Sequence, residues 1–532
     1  MRDFIAYAQF ESVWECFQPE TPFGRTAKDA MTIHREASEL ERIWDDTESA
    51  LQLLEELGSE PARLSQITHH LKRIPRIQET PRPQFDEVEI FQFKKFLYNY
   101  KCLASLLNTE IQNSFGFGYE SNDFEKLLDT GRQSAESFFV ADAFSEELAK
   151  VRADIETTNV AIQALQQQRV EAIQARWGLH FGDRTFLIVP RELLSDLGVA
   201  ATLLVVEPFD ERRYSVRPLA CGEELNLQEH RSALLSKERL CENHVLVTLS
   251  SAADCELENL KSYQDAVTRF DLAFARARLA QAHSFVRPRL QGGPIEISQG
   301  RFLPCEALCQ ELGTPYLPLD ACFDTPATVI FGSNMGGKTV VLKSLAFLQL
   351  CAQTGLFVPA AAFATRVFQH FSYLGEGREN ADTKGLSGFG CEIRGLVETW
   401  KTLGESTLVI FDEFARTTNS MEAEAILSAV VESLQGKPHV IALFSTHFRG
   451  VQRFPEARYL RMKGLDRQGL ALEQDAGMAL ASRIRVIDEH MDFRLVPDVA
   501  NAQVADAIAV AKLLGLAPEI AARAEHFFNQ GH

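Results

Sequence analysis

The sequence predicts a multidomain protein, in which an α-helical core with long helical arms and a small β-containing insert precedes an α/β domain. Apolar residues recur mainly at helical spacing up to about residue 177. Short runs typical of strands lie within residues 178–225. From residue 295 onward, apolar runs alternate with helical patterns, which is typical of a mainly parallel sheet covered on both faces. We expect domains at 1–140 (core), 141–290 (arms with the insert) and 291–532 (α/β, ending in C-terminal helices).

The helical core is predicted from two periodic segments and a break between them. Residues 26–57 place apolar side chains at three- and four-residue steps, and Gly58 ends the pattern. Residues 74–83 hold three prolines and two arginines, and Lys72 and Arg73 come just before them, which indicates a solvated linker or, alternatively, an anion contact. Residues 86–107 predict another helix. Its expected buried residues are Phe91, Phe96 and Leu97.

The arms are predicted from two long polar stretches on either side of the insert. Residues 141–177 are rich in Glu, Gln and Ala, which favours a helix that extends as an arm or a coiled coil. Helical character returns near Leu225, and residues 257–283 predict a second long arm. The predicted strands between the arms are 185–189, 201–206 and 213–217.

Composition narrows the class of protein. The 532 residues are 45% hydrophobic, enough for several packed domains, and no run of about eighteen apolar residues predicts a membrane span. The N-terminus lacks a signal-peptide pattern, and the ten cysteines contain no CxxC pair, which indicates reduced thiols in a cytoplasmic protein. The formal net charge of −19 argues against a polyanion bound over a large surface, although a local basic patch could bind one.

Residues 332–339 carry the most informative motif, G-x-x-x-x-G-K-[ST]. A strand-type apolar run precedes it and a helical pattern follows it, as a phosphate-binding loop requires. Backbone N–H groups of the loop would point at phosphate oxygens, Lys338 would neutralise γ-phosphate charge, and the Thr339 hydroxyl would hold Mg²⁺. The motif predicts that a nucleoside triphosphate and Mg²⁺ bind here; a glycine-rich turn without nucleotide is the alternative. The predicted nucleotide-binding residues of this segment are Gly332, Asn334, Met335, Gly336, Gly337, Lys338, Thr339 and Val340.

Two further strand ends supply candidate catalytic groups. The apolar run 408–411 ends in Asp412, which can orient Mg²⁺ through water, and in Glu413, which can polarise the water that attacks the γ-phosphate. A third apolar strand leads into His447, either a structural histidine or a sensor of the γ-phosphate. We therefore predict Glu413, His447 and Lys338 as catalytic residues, and Thr339 and Asp412 as metal ligands.

These segments resemble the MutS family of ABC-type ATPases. The resemblance is carried by residues 332–339, 408–416 and 443–447, in that order. The core N-M-G-G-K at 334–338 is more specific than a general phosphate loop. Looser similarity is found at residues 21–25, 285–288, 300–301 and 509–520. The likeness therefore extends over nearly the whole chain, strongly in the last part and loosely before it.

The resemblance implies an α/β ABC-type P-loop ATPase domain that forms a homodimer, with two nucleotides at the interface and the C-terminal helices contributing to dimerisation. Residues 384–392 match the segment that each such subunit offers to its partner's γ-phosphate, with Ser387 as the contact. An ordinary loop is the alternative there. Tyr316 matches an aromatic residue that stacks on adenine in the family.

Departures from the family limit what can be transferred. After the strand-end acids the family usually has Gly-Arg-Gly-Thr-Ser-Thr, whereas residues 415–420 read Ala-Arg-Thr-Thr-Asn-Ser. Arg416 and Thr418 are retained, so we expect coupling between subunits to survive. Because the likeness to the helical core begins near residue 1, we expect a truncated form that lacks the mismatch-recognition and connector domains. We also expect no nuclease-like tail after the ATPase domain.

The sequence leaves two main hypotheses, and a third, for what ATP hydrolysis acts on. A DNA mismatch repair-related role, with arms closing around a duplex, requires basic residues near the arm tips. Residues 178–265 instead contain nine Lys/Arg and fifteen Asp/Glu, which disfavours DNA without excluding a basic inner face. Residues 413–419 and the truncated architecture look like MutS-related proteins proposed to reactivate cobalamin-dependent amino-acid aminomutases, so a protein partner is the alternative. A nucleotide-dependent dimer with another role is the third.

Overall fold

The computed structural model describes residues 1–131, 134, 137–182, 184–194, 203–333, 336–375, 388–466, 487, 489–498 and 506–530. The chain divides into two compact units. The first comprises Met1–Thr68, Thr109–Phe115 and Thr268–His532, and the second comprises His69–Asn108 and Gly116–Val267. The three domains proposed from the sequence stay a prediction.

The part of the chain before residue 284 is mainly helical. Its helices are α1 (Arg2–Tyr7), α2 (Glu11–Cys16), α3 (Pro22–Asp29), α4 (Ala37–Leu57), α5 (Pro61–Arg73), α6 (Glu87–Leu106), α7 (Thr109–Phe115), α8 (Asn122–Leu128), α9 (Glu146–Trp177) and α10 (Gly222–His283). Helix α6 begins at a capping box, in which the Asp86 carboxylate accepts from the Glu89 N–H and the Glu89 carboxylate accepts from the Asp86 N–H. Phe93, rather than the predicted Phe91, lies buried on this helix together with Phe96 and Leu97.

Two helices in the N-terminal part differ from the prediction. The predicted helix over 26–57 is interrupted, since α3 ends at Asp29 and α4 begins at Ala37. Conversely, α10 runs without a break for 62 residues, so the stretch predicted as a separate arm is the C-terminal part of one helix. Apolar periodicity located most of the helical residues, but it carried one helix across residues 30–36 and did not mark where helices begin.

The motif at residues 21–25 has a structural explanation in the first unit. Thr21 caps α3, because its side chain accepts a hydrogen bond from the Gly24 N–H at 2.9 Å. The buried Asp271 carboxylate accepts from the Thr21 hydroxyl at 2.7 Å and from the N–H groups of Thr21 and Glu20. A Cβ on Gly24 would lie 2.2 Å from an Asp271 oxygen, so glycine is required at this close approach.

Within the second unit, α9 and the paired part of α10 run antiparallel. Their contacts join Glu147 to Lys237, Arg152 to Glu238 and Glu242, Asn159 to Arg231, and Arg169 to Glu224. From Arg152 through Asn159 to Arg169, the numbers of the partner residues on α10 fall from 238 and 242 through 231 to 224, which shows the opposite directions. The contact surface is therefore lined with charged pairs.

The predicted insert forms a three-stranded antiparallel sheet. Its strands are β1 (Leu187–Pro190), β2 (Leu204–Pro208) and β3 (Arg213–Pro218), in the order β1-β3-β2. Val189, Leu204 and Val216 point to one small apolar cluster that also includes Ile173 of α9. The insert is packed onto the end of the helix from which the chain enters it.

The described residues of the α/β region form two sheets. Its elements are β4 (Arg289–Leu290), β5 (Ile295–Gly300), α11 (Leu303–Leu312), β6 (Leu319–Phe323), β7 (Ala327–Phe331), α12 (Lys338–Gln353), β8 (Ala362–Thr365), β9 (His370–Gly375), α13 (Gly388–Trp400), β10 (Thr407–Asp412), α14 (Ser420–Ser433), β11 (Val440–Thr446), β12 (Ala457–Leu465), β13 (Met491–Pro497), α15 (Asp506–Leu513) and α16 (Pro518–Gln530). The smaller sheet has the order β4-β8-β5-β6 and the larger one β13-β12-β7-β11-β10-β9.

The larger sheet is parallel except for β13 at its edge. Along β10, Leu408 and Ile410 belong to one apolar cluster with α12, whereas Val409 and Phe411 belong to another with α14. Both faces are therefore buried, which explains the continuous apolar runs of the central strands and confirms the predicted mainly parallel sheet. Among the described helices, none has the length and apolar character needed to cross a bilayer. The cytoplasmic location stays a prediction.

Candidate nucleotide-binding site

The glycine-rich loop connects the buried strand β7 to α12. Gly337 caps the helix with a φ of +85°, and a Cβ there would lie 3.0 Å from a ring carbon of Phe493. Glycine is therefore favoured at position 337 for two reasons: the backbone is left-handed, and the Phe493 ring leaves little room for a Cβ. Gly332 and Gly336 flank the loop, while the predicted residues Asn334 and Met335 lie outside the described residues.

Lys338 is the first residue of α12, and its side chain is almost fully buried. The ammonium donates to the carbonyl oxygens of Gly332 and Ser333, both at 2.9 Å, and lies 3.6 Å from the Glu413 carboxylate. Burial lowers the pKa of Lys338, while the Glu413 charge acts in the opposite direction. The cation is thus held inside the loop, where a phosphate oxygen would meet it with little intervening water.

Asp412 is the last residue of β10, and its carboxylate faces the start of α12. One oxygen, Oδ1, accepts from the Thr339 hydroxyl at 3.1 Å and from the Ser445 hydroxyl at 2.5 Å. Ser445 reaches it because β10 and β11 pair with these two residues in register. A hydroxyl and a carboxylate in contact are oxygen ligands of the kind Mg²⁺ prefers, so the residues present fit that ion.

Glu413 follows with a φ of +52°, in the left-handed region that side chains other than glycine rarely adopt. Its N–H donates to both the carbonyl and the hydroxyl of Ser445, at 3.2 and 3.0 Å, which holds this backbone in place. The carboxylate lies between two cations, the Lys338 ammonium and the Arg416 guanidinium at 3.1 Å. A strained backbone at a strand end aims this side chain back toward the loop.

His447 follows β11 and stands in the same charged neighbourhood. Burial lowers the pKa of His447; the nearby Glu413 carboxylate opposes this shift, and the Lys338 and Arg416 cations add to it. Its ring lies 4.3 Å from that of Phe448. The imidazole is therefore favoured in its neutral form, which donates one hydrogen bond and accepts one.

Tyr316 lies in a mostly apolar pocket of about 310 Å³ beside the loop. Its hydroxyl accepts from the Phe302 N–H at 2.7 Å, and burial raises the pKa of Tyr316 to about 12. Gly337 and Val340 line the same pocket, so it continues directly from the phosphate loop. The apolar residues that line it include Pro315, Leu317, Pro318, Val341, Phe493 and Leu495, and the charged side chains of Asp320 and Arg494 also line it.

Ser387 lies outside the described residues, immediately before α13 begins at Gly388. The helix itself connects to the site, because the buried Glu392 carboxylate accepts from the Ala415 N–H at 2.7 Å. Burial raises the pKa of Glu392. The segment after Glu413 is thereby tied to the helix that follows the predicted partner contact.

Sequence reasoning did not assign roles to three residues that the structure brings to the site. Tyr7 donates its hydroxyl to Asp412 Oδ2 at 3.1 Å, and burial, ahead of the Asp412 charge, raises the pKa of Tyr7 well above its ordinary value. Phe493 touches the loop at Gly337, and Glu392 holds Ala415. Glu392 lay within a segment that the resemblance singled out, whereas Tyr7 and Phe493 carry no local pattern.

Three features lie together here: a glycine loop that encloses Lys338, a strand-end carboxylate that contacts Thr339, and an adjoining apolar pocket. Together they define a phosphate-loop nucleotide-binding domain. Comparison with known proteins agrees: residues 328–530 match the family model of MutS domain V. The chain therefore contains MutS domain V, and the resemblance to the MutS family is confirmed.

Three curated relatives show how far the similarity extends. A DNA mismatch repair protein MutS of Anaeromyxobacter sp. (strain K) is 30% identical over 317 residues, which cover 57% of this chain and 33% of that protein. An Endonuclease MutS2 of Lactobacillus johnsonii is 30% identical over 225 residues, covering 42% and 28%. Another Endonuclease MutS2, of Clostridium botulinum (strain Langeland), is 24% identical over 339 residues, covering 62% and 40%. The chain spans about a third of the length of the relatives it matches.

Proposed function

We propose that the chain is a MutS-type ATPase that binds Mg·ATP at the carboxyl edge of the larger sheet and hydrolyses it. One observation carries this proposal: the two functional residues of the loop each meet one of the two strand-end acids. The Thr339 hydroxyl lies 3.1 Å from Asp412, and the Lys338 ammonium lies 3.6 Å from Glu413. A purely structural glycine turn would not require this pairing. The presence of MutS domain V supports the same conclusion.

The residues divide the chemistry among them. The desolvated Lys338 ammonium would attract γ-phosphate oxygens more strongly than a hydrated one. Glu413 would hold the attacking water and accept its proton. A magnesium ion held by Thr339 and Asp412 would neutralise charge on the phosphate oxygens. The neutral His447 imidazole would hydrogen bond to the γ-phosphate, and Tyr316 would stack on adenine in its apolar pocket.

The test is the substitution Glu413→Gln, which keeps the side-chain shape and removes the base. We expect ATP binding to persist and hydrolysis to fall about 100-fold or more, the loss expected for a general base. Glu405→Gln is the matched control. Glu405 lies just before the first residue of β10, at the end of the strand away from Glu413, and it pairs with His370. Hydrolysis at the wild-type rate by the Glu413 variant would refute the general-base assignment.

We further propose that two copies of the chain assemble through their ATPase domains, with Ser387 of each contacting the partner's γ-phosphate. The position of Ser387 just before α13 supports this role, since the first N–H groups of a helix favour an anion. The C-terminal helices α15 and α16 would add to the interface. Sedimentation of the Glu413→Gln variant with saturating Mg·ATP should show a dimer. A monomer under those conditions, with nucleotide demonstrably bound, would contradict this assembly.

For the biological role we propose a DNA mismatch repair-related switch, in which the ATP state moves α9 and α10 as arms on DNA. The name of the Anaeromyxobacter relative supports this role. The excess of acidic residues between 178 and 265 favours the alternative, an ATP-dependent protein remodeller such as an aminomutase reactivase. Three of the basic residues between 178 and 265 already pair with carboxylates: Arg213, Arg217 and Lys237. Paired cations contribute less to phosphate binding.

Duplex and branched DNA binding at two salt concentrations separates these roles. The DNA role requires affinity that falls steeply between about 50 and about 200 mM salt, because phosphate contacts release counterions. If no salt-sensitive binding occurs in any nucleotide state, the DNA role fails, and the remodeller and a nucleotide-dependent dimer with another role remain. Co-purification with an aminomutase in the ATP state would support the latter directly.

A further inference from the structure

Tyr7, the last residue of α1, is joined to the candidate metal site by a contact across 405 positions of the chain. Its side chain is buried, and its hydroxyl donates to Asp412 Oδ2 at 3.1 Å. The other oxygen, Oδ1, accepts from the hydroxyls of Thr339 and Ser445. The two carboxylate oxygens therefore have separate donors, and Tyr7 occupies the oxygen that Thr339 does not use.

The tyrosine ring is held from two sides. It stacks on Tyr373 of β9 with ring centres 4.1 Å apart and planes at 22°, and the Lys343 ammonium of α12 lies 5.4 Å from its centre. Phe4, one turn earlier on α1, packs edge-on against Phe371 at 5.1 Å. Helix α1 is thus docked on the strand adjacent to β10, and the hydroxyl cannot leave Asp412 without moving this aromatic cluster.

A phenylalanine would fill the same apolar space, so packing alone does not explain the hydroxyl. A buried hydroxyl is costly unless it is hydrogen-bonded, and a bond to an ionised carboxylate is among the stronger ones. Here the acceptor is the same carboxylate that contacts Thr339. The bond restricts rotation of the Asp412 carboxylate about its last torsion, because rotation would exchange the positions of the two oxygens.

We propose that Tyr7 is a positioning residue of the magnesium site: it holds Asp412 Oδ2 so that Oδ1 stays on the Thr339 side, ready for the ion. The N-terminal helix is then a component of the nucleotide site rather than only part of the helical core. This inference rests on the proposed Mg·ATP function, and it assigns the site a residue that lies outside the motifs of the ATPase domain.

The experiment measures how much Mg²⁺ strengthens binding of a non-hydrolysable fluorescent ATP analogue, by comparing affinities with Mg²⁺ and with EDTA. Tyr7→Phe should leave the affinity in EDTA unchanged and reduce the enhancement by Mg²⁺ about tenfold or more, as expected for one hydrogen bond to a charged group. Tyr100→Phe is the matched control, because it removes another buried tyrosine hydroxyl, which donates to the Gly118 carbonyl at 2.8 Å. This control should keep the full enhancement.

A double variant makes the test specific. In an Asp412→Asn background, Tyr7→Phe should have no further effect on the Mg²⁺ enhancement. An unchanged enhancement in the single Tyr7→Phe variant overturns the inference alone, and so does a parallel loss of affinity with Mg²⁺ and with EDTA. A wild-type protein that binds no nucleotide overturns the proposed function and this inference together.

Discussion

The nucleotide site and the paired helices α9 and α10 both bring charged side chains together, but in opposite surroundings. At the site, Lys338 is 3% and Asp412 9% exposed, and each contacts groups fixed by strand register or by the loop backbone. On the helices, Arg152 is 28% exposed and binds three carboxylates, two of them on the other helix. Burial fixes the geometry that chemistry needs, whereas exposed pairs mainly align two helices at a small gain in free energy.

The pair Arg169–Glu224 lies on the helices but is less exposed than the Arg152 contacts: the Arg169 side chain is 12% exposed and the Glu224 side chain is 3% exposed. Arg169→Ala should lower the free energy of unfolding by about 3 kcal/mol, because it leaves Glu224 as an uncompensated buried charge. Urea denaturation measures this loss. ATP hydrolysis should stay unchanged.

The same pair gives a second readout. Replacing both residues, as Arg169→Met with Glu224→Met, should recover most of the lost stability, since apolar side chains of similar size can substitute for a buried ion pair. Hydrogen bonding to Arg169 lowers the pKa of Glu224, so the pair stabilises the wild type above the ordinary value of 4.5 and less as the pH falls below it. Equal losses in the single and double variants would show that packing, not charge, holds the helices there.

Gly337→Ala addresses the nucleotide site. Alanine at a φ of +85° costs about 1–2 kcal/mol, and its Cβ would also press on Phe493. If the loop changes its conformation to relieve this strain, ATP affinity should fall about tenfold or more, as isothermal titration would measure. Gly436→Ala is the matched control, since φ is +73° and its Cβ would meet nothing within 4 Å. An equal loss of ATP affinity in the control would assign the effect to general destabilisation.

Arg152→Ala should have a smaller effect, about 1 kcal/mol of unfolding free energy, and the loss should shrink at high salt. Three partly exposed carboxylates, Asp142, Glu238 and Glu242, would lose a shared partner. Thermal unfolding at low and high salt measures both quantities. The exposed pair Lys237–Glu147 supplies the control, and Lys237→Ala should change nothing measurable. A salt-independent loss for Arg152 would point to packing of its aliphatic part.

The smallest expected effect concerns pH. Because burial lowers the pKa of His447, the unfolded chain binds a proton first as the pH falls below the ordinary value of 6.5. The wild type should therefore lose stability relative to His447→Gln between about pH 7 and about pH 5.5. Comparing the melting temperatures of the two proteins across this range measures the difference. Parallel curves would mean that His447 titrates alike in the folded and unfolded states.

The success of sequence reasoning differed between the two regions for a physical reason. In the α/β domain, buried strands with both faces covered read as apolar runs, and the residues that follow them meet at one edge of a parallel sheet. The meeting of Lys338 and Thr339 with Asp412 and Glu413 could be predicted for that reason. Among the helices, periodicity located the helical stretches. It missed the break between α3 and α4, and chose Phe91 over Phe93, because neighbouring helices select the buried face.

The sequence by itself determined the phosphate loop, the strand-end acids and the order of the elements that carry them, since each depends on residues close together along the chain. Only the tertiary structure decided which distant groups complete the site: Tyr7 on Asp412, Glu392 on the Ala415 N–H, and Phe493 against Gly337. Such contacts join segments whose spacing along the chain has no fixed period. They form when apolar faces pack together, because the polar groups that become buried must then be hydrogen-bonded within the protein.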